Sequence, residues 1–99
     1  MFVITLTYKV PLDEVDKHLP AHVEWLGRQY EAGIFLASGR RVPRTGGVIL
    51  AGPFGRERIE AIIAEDPFHL NGIADHEIVE FVPGTVAPGL EKLQDPARG

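Results

Sequence analysis

The chain of 99 residues has no cysteine, and this absence removes two classes of site at once. Without thiols it can form neither disulfides nor thiolate metal sites. A chain without cysteine is compatible with a reducing compartment, so a cytoplasmic location is the expectation.

Long apolar runs and an excess of positive charge are also missing. No apolar stretch approaches the ~20 residues that span a bilayer, and the apolar start lacks the basic residues and cleavage site of a signal peptide. The formal net charge of -4 argues against non-specific binding to nucleic acid. We therefore expect neither a membrane nor a nucleic acid as a partner.

The remaining composition is that of one small globular domain. The hydrophobic fraction is 44% and the charged fraction 24%, both ordinary for a folded protein. The length allows a single core and is too short for two. We assign residues 1–83 to the domain, and residues 84–99 to a tail rich in proline and glycine with a short helix near residues 89–94.

Strands and helices are predicted in the order β-α-β-β-α-β. Period-two alternation and β-branched residues indicate strands, and apolar residues at spacings of three and four indicate helices. Strands are predicted at 2–8, 34–39, 48–51 and 76–82, a short helical turn at 12–19, and helices at 20–32 and 56–65. This order is typical of an α+β, ferredoxin-like fold with a four-stranded antiparallel sheet and both helices on one face.

The helices of such a fold leave one face of the sheet open. The first and third strands are apolar on both faces, so this open face would be a large apolar patch for a monomer. We therefore predict a homodimer in which two sheets pack together as a barrel.

The first long helix contains a proline in its middle. Proline lacks an N–H and clashes with the preceding turn, so we predict that the main helix begins at Pro20. The apolar stripe along this segment is Val15, Leu19, Val23, Leu26 and Tyr30.

Asp66 continues the apolar face of the second long helix, seven positions after Ile59. A buried carboxylate needs a partner or hydrogen-bond donors. The local sequence favours a helix cap, because aspartate before proline is a frequent N-cap arrangement. The alternative is a charged partner, and both roles are compatible if one oxygen caps and the other faces that partner.

His22 borders the apolar stripe of the first helix. A half-buried imidazole is the usual general acid or base at neutral pH. Taken alone, His22 is more simply a surface histidine; a contact with Asp66 would fix its tautomer and make it a better base. His18 lies four positions earlier, a spacing found in metal sites, but Pro20 disrupts the register and no metal site is predicted.

Several other residues are candidates for binding a small molecule. Ser38 is predicted on one strand face with Ile34 and Leu36, where its hydroxyl binds either a ligand or a nearby backbone group. The basic loop that follows is either solvated or attracts an anionic small molecule; its arginines are Arg40, Arg41 and Arg44. Phe68 and Trp25 are either core residues or a flat wall for a ring, and Gly46-Gly47 is predicted as a turn.

These elements together resemble the YciI-like (YCII-related) family, over about residues 2–82. The resemblance implies a ferredoxin-like fold that dimerises into an α+β barrel, and an active site built on a histidine–aspartate pair that matches His22 and Asp66. It also implies a pocket at Ser38-Gly39, and a few members act on aromatic compounds, including by elimination. The matching segments are 22–26 (HVEWL), 33–39 (GIFLASG), 46–49 (GGVI), 65–68 (EDPF), 72–74 (GIA) and 77–78 (EI).

The leading hypothesis is a homodimeric enzyme of the lyase or isomerase type that acts on a small aromatic or enolic molecule without a cofactor. His22 would transfer the proton and Asp66 would orient it; the predicted binding residues are Ser38, Gly39, Arg44 and Phe68. The alternative is a non-catalytic module that binds or senses a small molecule. A cofactor-independent oxygenase rests on fold analogy alone.

Overall fold

The computed structural model describes residues 1–94, and its secondary structure follows the predicted order with one extra short helix. Residues 95–99, the end of the predicted tail, lie outside the described residues. The elements are β1 Phe2–Tyr8, α1 Leu12–Glu31, β2 Phe35–Arg40, β3 Gly46–Ala51, α2 Arg56–Ala64, α3 Pro67–Leu70 and β4 Ala74–Glu80.

The four strands form one antiparallel sheet in the order β2-β3-β1-β4. Phe2, Ile4 and Leu6 of β1 are buried beneath the helices, because alternate residues of a strand point to the same face. The core they join includes residues from both long helices, among them Trp25 and Ile59. The predicted α+β, ferredoxin-like fold is confirmed.

The predicted interruption at Pro20 is wrong, because α1 is a single helix from Leu12 to Glu31. Proline inside a helix costs about 3 kcal/mol. Val15 on one side of Pro20 and Trp25 on the other are both fully buried, and this packing holds the two halves in line. Pro20 itself is exposed.

The buried face of α1 differs from the predicted stripe. Val23 is 55% exposed and Tyr30 is 40% exposed, whereas His22 is only 8% exposed. Trp25 sets this orientation: it is the largest fully buried side chain, and its Nε1 donates a hydrogen bond to the Ile62 carbonyl at 3.2 Å. His22 therefore lies within the buried face and not at its border.

Gly46 and Gly47 belong to β3, so the predicted turn at these residues is wrong. The chain reverses just before them, where the Thr45 N–H donates to the Pro43 carbonyl at 2.8 Å. A Cβ on Gly46 would lie 1.7 Å from the carbonyl oxygen of Leu6. Glycine is needed here because two backbones approach closely.

Two smaller shifts concern the outer strands. A register irregularity between Phe35 and Ala37 puts Ser38 opposite Ile49, on the helix-covered face with Phe35 and not with Leu36 as predicted. β4 begins at Ala74 rather than His76 and ends at Glu80 rather than Val82.

Beyond β4, the described part of the tail contains a single 3-10 turn, at Glu91–Leu93. This turn lies inside the segment 89–94 for which a short helix is predicted. Among the described residues, no helix is both long and apolar enough to cross a bilayer.

Candidate active site

Asp66 lies at the junction of α2 and α3 and is completely buried. It is the N-cap of α3, with Pro67 at the first helical position, and its Oδ1 accepts the Phe68 N–H at 2.9 Å. The capping role expected from the Asp-Pro sequence is therefore present. This bond uses part of the hydrogen-bonding capacity of Oδ1, and the remaining capacity of the carboxylate is available to other donors.

Two imidazoles supply those donors. His22 Nδ1 lies 2.7 Å from Asp66 Oδ1, and His76 Nε2 lies 2.8 Å from Asp66 Oδ2. His22 comes from α1 and His76 from β4, so the carboxylate joins three elements that are distant in sequence. We refer to His22, Asp66 and His76 as the histidine–aspartate cluster.

The surroundings of Asp66 keep it ionised. Burial alone would raise the pKa of its carboxyl. The hydrogen bonds from His22 and His76, the positive charge that His22 can carry, and the Phe68 N–H outweigh burial and hold that pKa below its usual range. The carboxylate is therefore available as an acceptor and as a counter-charge at neutral pH.

The ring of His22 is held in one orientation. It stacks on Phe68 with ring centroids 4.0 Å apart and an angle of 6°, and it lies 5.5 Å from the Trp25 ring. An ionised carboxylate only accepts hydrogen bonds, so Nδ1 of His22 carries a proton. In neutral His22 the Nε2 lone pair is then free, and within the described residues this nitrogen has no hydrogen-bond partner.

A pocket of about 480 Å³ opens beside His22. The predicted binding residues Ser38, Gly39, Arg44 and Phe68 all line this pocket together with His22. Asp66 does not line it, because it lies behind the His22 ring. The structure thus brings the predicted residues to one place, with the carboxylate in a supporting position.

The polar rim of the pocket consists of side chains that contact one another. Arg44 Nη2 lies 2.6 Å from Asp16 Oδ1, and the Tyr30 hydroxyl lies 2.6 Å from Ser38 Oγ. Ser38 is therefore bonded to a side chain, not to the backbone group considered from sequence. Arg40 also lines the pocket, whereas Arg41 bonds Thr7 Oγ1 at 3.3 Å.

The sequence patterns did not assign His76 or Tyr8 to the candidate site. Tyr8 lines the pocket because it continues the helix-facing alternation of β1. In β4, His76 stands two positions from both Ala74 and Ile78, so it occupies a helix-facing site. A histidine in a core-facing register was the available signal.

No metal site is predicted at His18 and His22. Within residues 1–94 there is no group of three or more histidine, aspartate or glutamate side chains arranged to hold a metal ion. His22 uses its Nδ1 on Asp66 instead.

The sheet order and the pocket-facing histidine define a small α+β domain of the ferredoxin-like class with a candidate active site. The model of the YCII-related domain matches residues 1–82, and the chain belongs to that family. The resemblance noted from the sequence is confirmed. No functionally curated protein matches the chain in sequence.

A solved structure supports the same fold. It is 5-chloro-2-hydroxyhydroquinone dehydrochlorinase from Burkholderia phenoliruptrix AC1100, in complex with 2,5-dihydroxybenzoquinone. The similarity covers 82% of this chain and 93% of the dehydrochlorinase, with a TM-score of 0.67 and 14% sequence identity. At this identity the likeness establishes a shared fold.

Proposed function

We propose that this protein is a small enzyme of the lyase or isomerase type in which His22 transfers a proton to or from a bound substrate. The observation that carries the proposal is the double environment of His22. Its Nδ1 contacts a buried carboxylate at 2.7 Å, while its ring lines the pocket. A histidine that acts as a general base requires one ring nitrogen held by a hydrogen bond and the other available to the substrate.

The chemistry follows from the charges of the pair. A neutral His22 accepts a proton at Nε2 from a C–H or O–H group of the substrate and becomes an imidazolium. The negative charge of Asp66 is already in place, so it stabilises this cation without reorganisation of water. His22 then returns the proton to another atom in an isomerisation, or to solvent when a leaving group departs.

The lining of the pocket supports the proposed class of substrate. Phe68 and the aliphatic Leu19 and Leu26 form apolar walls, and Arg40 and Arg44 bring positive charge to the same cavity. A small ring that carries ionisable oxygen atoms suits both features, since the ring packs on apolar side chains and the oxygens meet guanidinium groups. The dehydrochlorinase of the same fold, in complex with a dihydroxybenzoquinone, is consistent with this class.

The test uses 5-chloro-2-hydroxyhydroquinone as the probe, under anaerobic conditions, with chloride release as the readout. We expect the wild-type protein to release chloride and His22→Gln to be slower by about 10²–10⁴-fold, the usual contribution of a proton-transfer residue. His18→Gln is the matched control, because His18 lies one turn earlier on α1 and does not line the pocket. It should retain wild-type turnover.

The same assay also separates an enzyme from a binding module. A protein that binds the probe and returns it unaltered would contradict the lyase proposal and favour a sensor. Equal rates for His22→Gln and His18→Gln would contradict the role of His22. Failure to bind any hydroxylated quinone would exclude the proposed substrate class.

We also propose that the protein works as a homodimer joined through the open face of the sheet. In the register of the sheet, Val3, Leu50 and Val79 lie side by side on the face opposite the helices. Val79 is 49% exposed in the single chain, and Leu36 on β2 is 43% exposed. Covering this apolar surface with a second copy removes it from water.

A further inference from the structure

The side chain of His76 is almost completely buried beside the carboxylate that it contacts. Its side chain is 4% exposed, and its Nε2 lies 2.8 Å from Asp66 Oδ2. Its other ring nitrogen, Nδ1, is buried without a hydrogen-bond partner among the described residues. The two nitrogens of one ring are therefore in very different environments.

This difference bears on which ring nitrogen of His76 carries the proton. Asp66 is ionised and only accepts hydrogen bonds, so Nε2 of His76 must carry a proton to bond it. A proton on Nδ1 as well would leave a buried N–H without an acceptor and add a second buried cation, both of which are unfavourable. The geometry therefore favours a proton on Nε2 of His76 and none on Nδ1.

His22 differs in this respect, because its ring lines the pocket and its second nitrogen is not among the buried polar atoms that lack a partner. One carboxylate thus has two imidazole partners with separate tasks. We propose that His76 is a positioning residue for His22: its Nε2–H binds Asp66 Oδ2 and holds Asp66 Oδ1 toward His22. This inference rests on the proposed proton transfer by His22 and adds a residue that acts through Asp66.

The physical reason is the cost of an unsatisfied carboxylate oxygen. Oδ1 receives His22 and the Phe68 N–H, whereas His76 is the one donor to Oδ2 within the described residues. Without His76 the buried Oδ2 would lack a donor, and the carboxylate would lose a hydrogen bond that lowers its pKa. Asp66 would then take up a proton more easily and lose its charge toward His22.

Four further charged or titratable residues lie around His76. A second cavity, of about 470 Å³, is lined by His76 and not by His22. His69 of α3 faces the His76 ring at 5.9 Å between centroids, and Lys9 is paired with Asp75 at 3.1 Å. Glu60 of α2 also lines this cavity. None of these groups bonds His76 Nδ1.

The test compares His76→Gln with His76→Leu. The side-chain amide of glutamine can place an N–H near the position of Nε2, and leucine has no donor. The first readout needs no substrate: the Asp66 carboxyl is titrated by carbon-13 NMR in the intact protein. We expect the pKa of this carboxyl to rise in His76→Leu and to return toward the wild-type value in His76→Gln. If leucine prevents folding, His76→Asn replaces it, because its shorter amide does not reach Oδ2.

The second readout is the pH profile of kcat/KM for chloride release. In His76→Leu we expect kcat to fall about tenfold or more, from the loss of one hydrogen bond to a charged group, and the acidic limb to move to higher pH. His76→Gln should restore both. A purely structural role would lower the amount of folded protein and leave the position of the acidic limb unchanged.

Two results would overturn the inference. One is an Asp66 titration that is the same in His76→Leu as in the wild-type protein. The other is an unshifted pH profile in a folded His76→Leu. The proposed function fails in a different way, namely if His22→Gln retains full turnover. In that case the NMR titration still reports whether His76 holds the carboxylate.

Discussion

Asp66 shows how a single residue can serve the fold and the site together. Its Oδ1 caps α3 through Phe68 and contacts His22, and its Oδ2 contacts His76. A buried charge is tolerated when its hydrogen-bonding capacity is used, and here both oxygens have donors. The same bonds that make burial possible also fix the orientation of His22, so stability and the candidate chemistry depend on one carboxylate.

The low pKa of Asp66 predicts a contribution to stability that depends on pH. In the folded state the pKa of the Asp66 carboxyl lies below its ordinary value of 3.8. As the pH falls, this carboxyl is therefore protonated in the unfolded chain before it is protonated in the folded protein. The stabilisation is complete above about pH 4 and is lost as the pH falls through the lower, folded pKa. Asp66→Asn should therefore unfold about 1–3 kcal/mol more easily at pH 7 and show a shallower loss of stability below pH 4. Urea unfolding between pH 7 and pH 2 measures both.

The control for this prediction is Asp75→Asn. Asp75 is an exposed carboxylate in a surface ion pair with Lys9, and such pairs contribute about 0–1 kcal/mol. An Asp66→Asn protein with the acid dependence of the wild type would show that the cluster does not hold the carboxyl ionised.

Part of the cluster could be predicted from sequence, for definite reasons. Asp66 stands out because a charge interrupts an apolar face, and its capping role follows from Pro67 next to it. His22 stands out by its position beside a stripe. His76 could not be paired with Asp66 in advance, because the contact depends on how β4 lies beside α3 in three dimensions. Nothing in the local spacing specifies that contact.

At the scale of elements, the errors in prediction come from residues whose local conformational preference is outweighed by tertiary contacts. Pro20 commonly ends a helix, yet α1 continues because packing on both sides outweighs the local cost. Paired glycines commonly make a turn, yet Gly46 lies in β3 because the Leu6 backbone leaves no room for a side chain. Periodicity located the strands, and tertiary contacts decided these exceptions.

Gly46 is therefore predicted to be the glycine of the sheet least able to accept a side chain. A Cβ would lie 1.7 Å from Leu6 O and 2.7 Å from Leu6 C, so β1 and β3 would have to separate. We expect Gly46→Ala to lower the free energy of unfolding by about 1–3 kcal/mol or more. Gly39→Ala in β2 is the matched control, since a Cβ there meets nothing within 4 Å, and its effect should stay within about 0.5 kcal/mol. Equal effects in chemical denaturation would refute the steric explanation.

At the scale of the whole molecule, the two faces of the sheet have different roles. The helix-covered face carries the core and the histidine–aspartate cluster, and the other face carries apolar side chains without a covering layer in the single chain. The sequence indicated this arrangement, since alternation on β1 and β3 was apolar on both sides. Which copy or partner covers the open face depends on association, which the pattern of one chain does not specify.

The proposed homodimer predicts that a charge at the centre of the open face separates the subunits without unfolding them. Leu50 is half-buried, pairs with Val3 across β1 and β3, and faces away from the core. Leu50→Lys would place an ammonium group between two sheets, at a desolvation cost of several kcal/mol, so the dimer should dissociate at least about 100-fold more readily.

Leu70→Lys is the control, because Leu70 lies on α3 and is 68% exposed, away from the sheet. Analytical ultracentrifugation should show a dimer for the wild-type protein and for Leu70→Lys, and a folded monomer for Leu50→Lys. A wild-type protein that sediments as a monomer, or a Leu50→Lys variant that stays dimeric, would exclude this face as the interface.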